Sequence, residues 1–178
     1  MQEKCRQNRK ERLQWLMTLI GQWLLKCQKR TAVLIGSFAD VWCLAGGKET
    51  LVAAADDTWT QFNLNLSEDV VHLGAVKSPS LEKLLASQPD LVIGSTKTAA
   101  DVELKSTLEE MEIPVIYFDV SSFEDYLRML KVCTMLTGYD EYYQMYGTDV
   151  ATQVEDAKKR ITGRKTQCVV YSRIWFQL

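Results

Sequence analysis

From Thr31 onward, short apolar runs alternate with longer stretches in which apolar residues return every three or four positions. "TAVLIG" (31–36) is a β-branched run closed by glycine, the pattern of a buried strand. "FADVWCLAGG" (38–47) places Ala39, Val41, Trp42, Leu44 and Ala45 at helical spacing and stops at Gly46-Gly47, which predicts a helix with a glycine C-terminus. "TLVAA" (50–54) is a second short strand. Residues 56–74 are irregular, with one helical turn and a short extended piece at Val70–Leu73.

"SPSLEKLLASQPDLVIGS" (78–95) carries the plainest pattern in the chain. Leu81, Leu84 and Leu85 share one helix side, and Glu82, Lys83, Ser87 and Gln88 the other, over a helix at 79–88. Pro89-Asp90 ends it, and Leu91-Val92-Ile93 reads as a strand covered on both faces, 91–94. A helix near 100–111 follows, then Pro114 and the strand "VIYFDV" (115–120). The helix 121–138 opens on a Ser cap, Ser121 or Ser122, with Glu124 and Asp125 in its first turn, and ends at Gly138. A long polar helix spans about 139–162, and "QCVVYSRI" (167–174) reads as a last strand.

Strands separated by helices of ten to seventeen residues predict βαβ units, an α/β fold with a parallel, helix-covered sheet. In such folds ligands meet the loops at the carboxyl ends of the strands. That rule selects Gly36-Ser37-Phe38, the stretch from Ala55 to Trp59, Gly94 to Thr98, and Asp119 to Ser122, with Lys77-Ser78 nearby.

The totals add an asymmetry. The 178 residues carry a net charge of −2, which gives no reason to expect nucleic acid or a membrane surface as the main partner. Residues 1–30 hold eight Lys/Arg against two Glu (+6), whereas the remainder holds thirteen against twenty-one (−8). The first segment has a basic start and then a mostly apolar run from Leu13 to Leu25, the layout of a secretory signal. No small-residue cleavage site follows, Lys26 stands where a lipoprotein signal needs a small residue, and Gln14 and Gln22 interrupt a run already short for a membrane span. The segment reads either as an amphipathic or disordered extension or as an export signal that is not intact.

Candidate chemistry is sparse. The chain has no G-x-G-x-x-G after its first strand and no G-x-x-x-x-G-K-[ST]. Ser37 lies on a strand-to-helix turn but lacks the second glycine of a nucleophile elbow. His72 is the only histidine, and the five cysteines include no C-x-x-C pair, so neither a catalytic triad nor a zinc cluster assembles from local spacing. His72 reads as a half-buried strand residue and the cysteines as packing thiols. Asp56-Asp57 fits an acid–base or metal pair, or a loop capping a helical turn. Lys77 and Lys97, on mouth loops near helix starts, suit an anionic ligand or are plain surface lysines. Phe38, Trp42 and Trp59 could floor an apolar pocket, although Trp42 at helical spacing also reads as core.

The blocks "RTAVLIGSFADVWCLAGGKETLVAAADD", "VKSPSLEKLLASQPDLVIGS" and "IPVIYFDVSSFEDYLRMLKVCTMLTG", in this order, resemble the periplasmic-binding-protein family that serves importers of iron–siderophore, haem and cobalamin compounds. The resemblance covers about Arg30 to Lys165. It implies two α/β lobes joined by a long rigid helix, with ligand held between them. On that template residues 1–30 are an N-terminal extension and 31–138 a single Rossmann-like lobe. Residues 139–162 are then the linker helix and 163–178 a stub of a second lobe otherwise absent. It implies binding without covalent chemistry or a resident cofactor, an extracytoplasmic location in the periplasm or as a cell-surface lipoprotein, and two partners: a small metal-chelate ligand and a membrane ABC permease. Ligand-facing loops would supply Ser37, Phe38, Asp57, Trp59, Lys77, Thr96 and Lys97. Glu82, in the L-E-K position, would meet arginines of the permease; as a plain surface residue it would be a solvated Glu favoured by the helix dipole.

Where the family would show a strand like V-T-D-D-L-G-R-T-V, this chain has "LQWLMTLIGQW". Codons for Leu16 to Trp23, read one nucleotide earlier, permit Asp-Asp-Leu-Asn-Arg-Thr-Val, so residues before about Lys29 are expected to be out of frame relative to an ancestral gene. Two other readings stay open. One is a small α/β enzyme or nucleotide-binding domain using Ser37, Asp56 and Asp57. The other is a half-protein relic that self-associates through the surface of its lost lobe.

Overall fold

A computed structural model describes residues 30–161. Five parallel strands form one sheet: β1 (Thr31–Val33), β2 (Leu51–Ala54), β3 (Val71–His72), β4 (Leu91–Ser95) and β5 (Val115–Phe118), in the order β3-β2-β1-β4-β5. Helices α1 (Gly36–Leu44), α2 (Asp57–Thr60), α3 (Leu81–Ala86), α4 (Ala99–Glu110) and α5 (Phe123–Thr137) fill the connections. The fold is α/β, as the alternation of periods predicts.

Strand β1 pairs with both β2 and β4, and every residue of β1 and β4 is buried. Continuous apolar runs suit that place, because such strands need a side chain on both faces. The period of two divides their residues between two cores. Val33, Leu91 and Ile93 pack with Phe38, Val41 and Trp42 of α1 and Met129, Leu130 and Cys133 of α5. Ala32, Leu34 and Val92 pack on the opposite face with Leu84 of α3 and Leu108 of α4.

Local chemistry sets the helix ends. Ser122 caps α5: its Oγ accepts from the Asp125 amide at 3.2 Å, and the Asp125 carboxylate accepts from the Ser122 amide at 2.9 Å. The same carboxylate also accepts from the Ser122 hydroxyl at 2.8 Å and the Ser121 amide at 3.1 Å, and these two bonds foremost hold the Asp125 carboxyl down to about 2. Gly138 closes the helix at φ +80, a conformation that costs glycine nothing. After α1 the chain turns at Gly46 and Gly47. A Cβ on Gly47 would sit 2.2 Å from the Trp42 indole nitrogen. That indole is fully buried and donates to Thr50 Oγ1 at 3.1 Å.

The long helix is present but not uniform. It comprises α6 (Asp140–Tyr143), a π-helical turn at Gln144–Thr148 and α7 (Asp149–Ile161). Tyr126 on α5 donates to the Tyr146 carbonyl at 3.1 Å, and Gly147 is buried beside Tyr143 and Leu130. The widened turn lies where the helix packs against α5. The expectations for residues 1–29 and for the strand 167–174 fall outside the described residues. Cys43 and Cys133 are free thiols packed against the core, half-buried and buried, and burial pushes them up to about 11 and about 12.

Candidate functional site

Strand order reverses between β1 and β4, and at such a point the connections leave the sheet on opposite sides. The loops at the carboxyl ends of all five strands therefore line one edge of the lobe. The sequence-selected residues sit there in two groups.

The first group lies over β2 and β3. Asp57 opens α2, and both its carboxylate oxygens accept from the Gly36 amide at 2.9 Å. Gly36 begins α1, whose own N-cap residue, Ile35, offers no side-chain bond. Asp57 thus caps α1 from a different part of the chain. A Cβ on Gly36 would lie 2.7 Å from the Thr58 nitrogen, so only glycine allows this approach. Burial raises the Asp57 carboxyl above the usual range, against the Gly36 hydrogen bond that lowers it. Asp56 turns elsewhere, its Oδ1 lying 3.2 Å from His72 Nδ1. The His72 ring stacks on Trp59 at 3.6 Å between centroids and 19° between planes. The two aspartates have separate partners, and among the described residues no cluster of three or more His, Cys, Asp or Glu could hold a metal ion.

The second group lies over β4 and β5. Lys97 Nζ meets Asp119 Oδ1 at 2.9 Å and also hydrogen-bonds Ser121 Oγ, while its amide donates to Ser95 Oγ at 3.1 Å. The hydrogen bond from Lys97 holds the Asp119 carboxyl below its usual range. Lys97 is therefore half of an ion pair, which weakens its reading as an anion-seeking cation. Beside it an open depression of about 410 Å³ is lined by Tyr117, Phe118, Asp119, Ser121, Asp125 and Arg128.

The remaining candidates divide. Ser37 is exposed in the first turn of α1 rather than on a turn before it. Phe38 is only 7% exposed and meets Phe118 edge-to-face at 6.2 Å, which makes it core packing beneath the rim. Thr96 is exposed and its amide donates to the Phe118 carbonyl at 3.2 Å. Lys77 is exposed, with no side-chain hydrogen bond or ion pair among the described residues. Glu82 is exposed in the first turn of α3, whose cap Ser80 accepts from the Lys83 amide at 3.3 Å while Leu84 anchors the inner face.

Sequence reasoning missed three features. His72 is a strand residue, as read, but an exposed one on the rim and not half-buried, because β3 is only two residues long and lies at the sheet margin. Asp119 and Ser121, which hold Lys97, were legible only as loop residues. Asp101, in the first turn of α4, is completely buried: its Oδ2 accepts from the Ser95 amide at 2.8 Å, and its Oδ1 has no partner. Desolvation raises its carboxyl to about 6, with the Ser95 hydrogen bond opposing.

A family model described as periplasmic binding protein matches residues 33–174. The chain belongs to the periplasmic binding protein family. Solved structures share the fold. A periplasmic heme-binding protein from Pseudomonas aeruginosa is 22% identical with a TM-score of 0.65; the match covers 76% of this chain and 47% of that one. The periplasmic vitamin B12-binding protein of Vibrio cholerae is 19% identical, TM-score 0.62, with 74% and 50% covered. A Vibrio cholerae siderophore-binding protein, solved with Fe3+-Desferal, is 19% identical, TM-score 0.61, with 77% and 52% covered. This periplasmic binding protein chain spans about half the length of those structures. No curated protein matches it.

Proposed function

We propose that this chain is part of the substrate-binding component of an ABC importer for a metal-chelate compound such as a ferric siderophore, haem or a cobalamin, working outside the cytoplasm. Membership of a family of binding proteins, over 33–174, is the observation that carries this reading. The names of the structures sharing its fold supply the ligand classes. Residues 31–138 act as the ligand-facing N-terminal lobe, 139–162 as the linker helix and 163–178 as the start of the next lobe. No covalent step is involved; capture rests on the rim formed by Ser37, Trp59, Lys77, Thr96 and Lys97. Phe38 and Asp57 hold that rim in shape. Glu82, exposed on a short helix, docks on the permease, where rim charge governs register and encounter rate.

Titration of intrinsic tryptophan fluorescence with ferric desferrioxamine, haemin and hydroxocobalamin tests the ligand reading, since Trp59 lies on the rim. A saturable response to at least one compound is expected, and silence towards all three refutes it. Glu82→Arg is expected to keep the ligand response and to lower import in cells that depend on this protein.

A further inference from the structure

The His72 imidazole is fixed on two sides and open on a third. Asp56 Oδ1 lies 3.2 Å from Nδ1, and an ionised carboxylate only accepts hydrogen bonds, so the neutral ring carries its proton on Nδ1. The indole of Trp59, stacked at 3.6 Å and 19°, holds the ring plane. Nε2 has no hydrogen-bond partner among the described residues, and the side chain is 55% exposed at the carboxyl end of β3. A histidine whose second nitrogen is tied to a carboxylate is the arrangement that orients imidazole towards a metal and raises its basicity as a ligand. The described residues supply no further ligands for a bare ion there. One imidazole suffices only if the metal arrives with most of its coordination positions already filled.

We propose that His72 Nε2 is an axial ligand to the metal of a bound chelate that has an open coordination position: a planar tetradentate macrocycle of the porphyrin or corrin type, not a siderophore that saturates its iron. This rests on the importer reading above and narrows its ligand class. Binding replaces a water on the metal with the Nε2 lone pair. The metal keeps its oxidation state, and the Nδ1 proton stays on the bond to Asp56. Trp59 and Asp56 are positioning residues.

The test is absorption spectroscopy of the protein with haemin, hydroxocobalamin and ferric desferrioxamine B. Haemin is expected to give a shifted Soret band typical of imidazole ligation, or hydroxocobalamin the corresponding shift of its corrin bands; which of them responds tells porphyrin from corrin. His72→Ala should weaken binding of that macrocycle at least tenfold and lose the imidazole spectrum, with added imidazole restoring it. His72→Tyr should give instead the spectrum of a phenolate-ligated metal. Asp56→Asn should bind more weakly with the imidazole spectrum retained. An unchanged spectrum and affinity in His72→Ala overturns the assignment and leaves the importer reading standing, as does binding of ferric desferrioxamine B without a response to either macrocycle. No response to any of the three overturns both.

Discussion

Asp101 is a carboxylate placed where water cannot reach it, with one oxygen on the Ser95 amide and the other on nothing. Its folded-state value of about 6 stands above the ordinary 3.8, so the folded chain binds this proton more tightly than the unfolded one. The stabilising contribution is complete below the unfolded value and is lost as pH rises through about 6. Asp101→Asn, which removes the charge and keeps an acceptor for Ser95, is expected to raise Tm at pH 7.5. The gain should correspond to about 2–3 kcal/mol at most and close as the pH approaches 4; melts of both proteins across pH 4–8 measure the gap. Burial raises the Asp57 carboxyl as well, but both of its oxygens are used, on the Gly36 amide. Asp57→Ala leaves the Gly36 amide unpaired and should cost about 1–2 kcal/mol in urea unfolding, whereas Asp57→Asn should cost less. Neither role was legible in the sequence. Each depends on a partner outside the residue's own element: a strand-end amide for Asp101, and for Asp57 a helix start twenty-one positions away.

At the scale of elements the sequence reads well, because each element's period matches the burial it receives. "DLVIGS" is apolar without alternation and becomes β4, buried at all five positions. The Ser–Glu–Asp start of α5 and its closing Gly138 set that helix to within two residues. Ser122→Ala removes the cap and is expected to destabilise the lobe by about 1 kcal/mol in denaturant unfolding. Gly47→Ala should cost more, about 1–3 kcal/mol, because the new methyl meets the buried Trp42 ring and has no room to move it. What the pattern could not give is the π-turn at Gln144–Thr148. The tyrosines there recur at ordinary helical spacing, and only their packing against α5 decides where one turn widens. The edge strand β3 was likewise only a short extended piece, since two residues carry no period.

For the lobe as a whole, rigidity should follow the sheet. Amide hydrogen exchange is expected to be slowest in Ala32–Leu34 and Val92–Ile93, where strands paired on both sides are packed on both faces. It should be fastest across 61–69, an irregular stretch with most side chains in solvent. Equal protection in both segments would contradict a core centred on β1 and β4. Ordering of the family blocks along the chain already carried the fold. The rim's pairings did not show, because Lys97 with Asp119, and His72 with Asp56 and Trp59, join residues from different loops.

The carboxylate of Asp57 on the Gly36 amide bears on selectivity. In many α/β proteins the start of the first helix is where a ligand's phosphate settles. Here that seat holds an internal tenant, carried by the same chain and held in place by the fold, so present at the effective concentration of an intramolecular group. A nucleotide would have to evict it and then leave a half-buried carboxylate facing its own phosphate charge. Asp57→Ala, which empties that seat, is therefore expected to raise affinity for a phosphate-bearing compound at the first helix, measured by calorimetry with ATP against the unaltered chain.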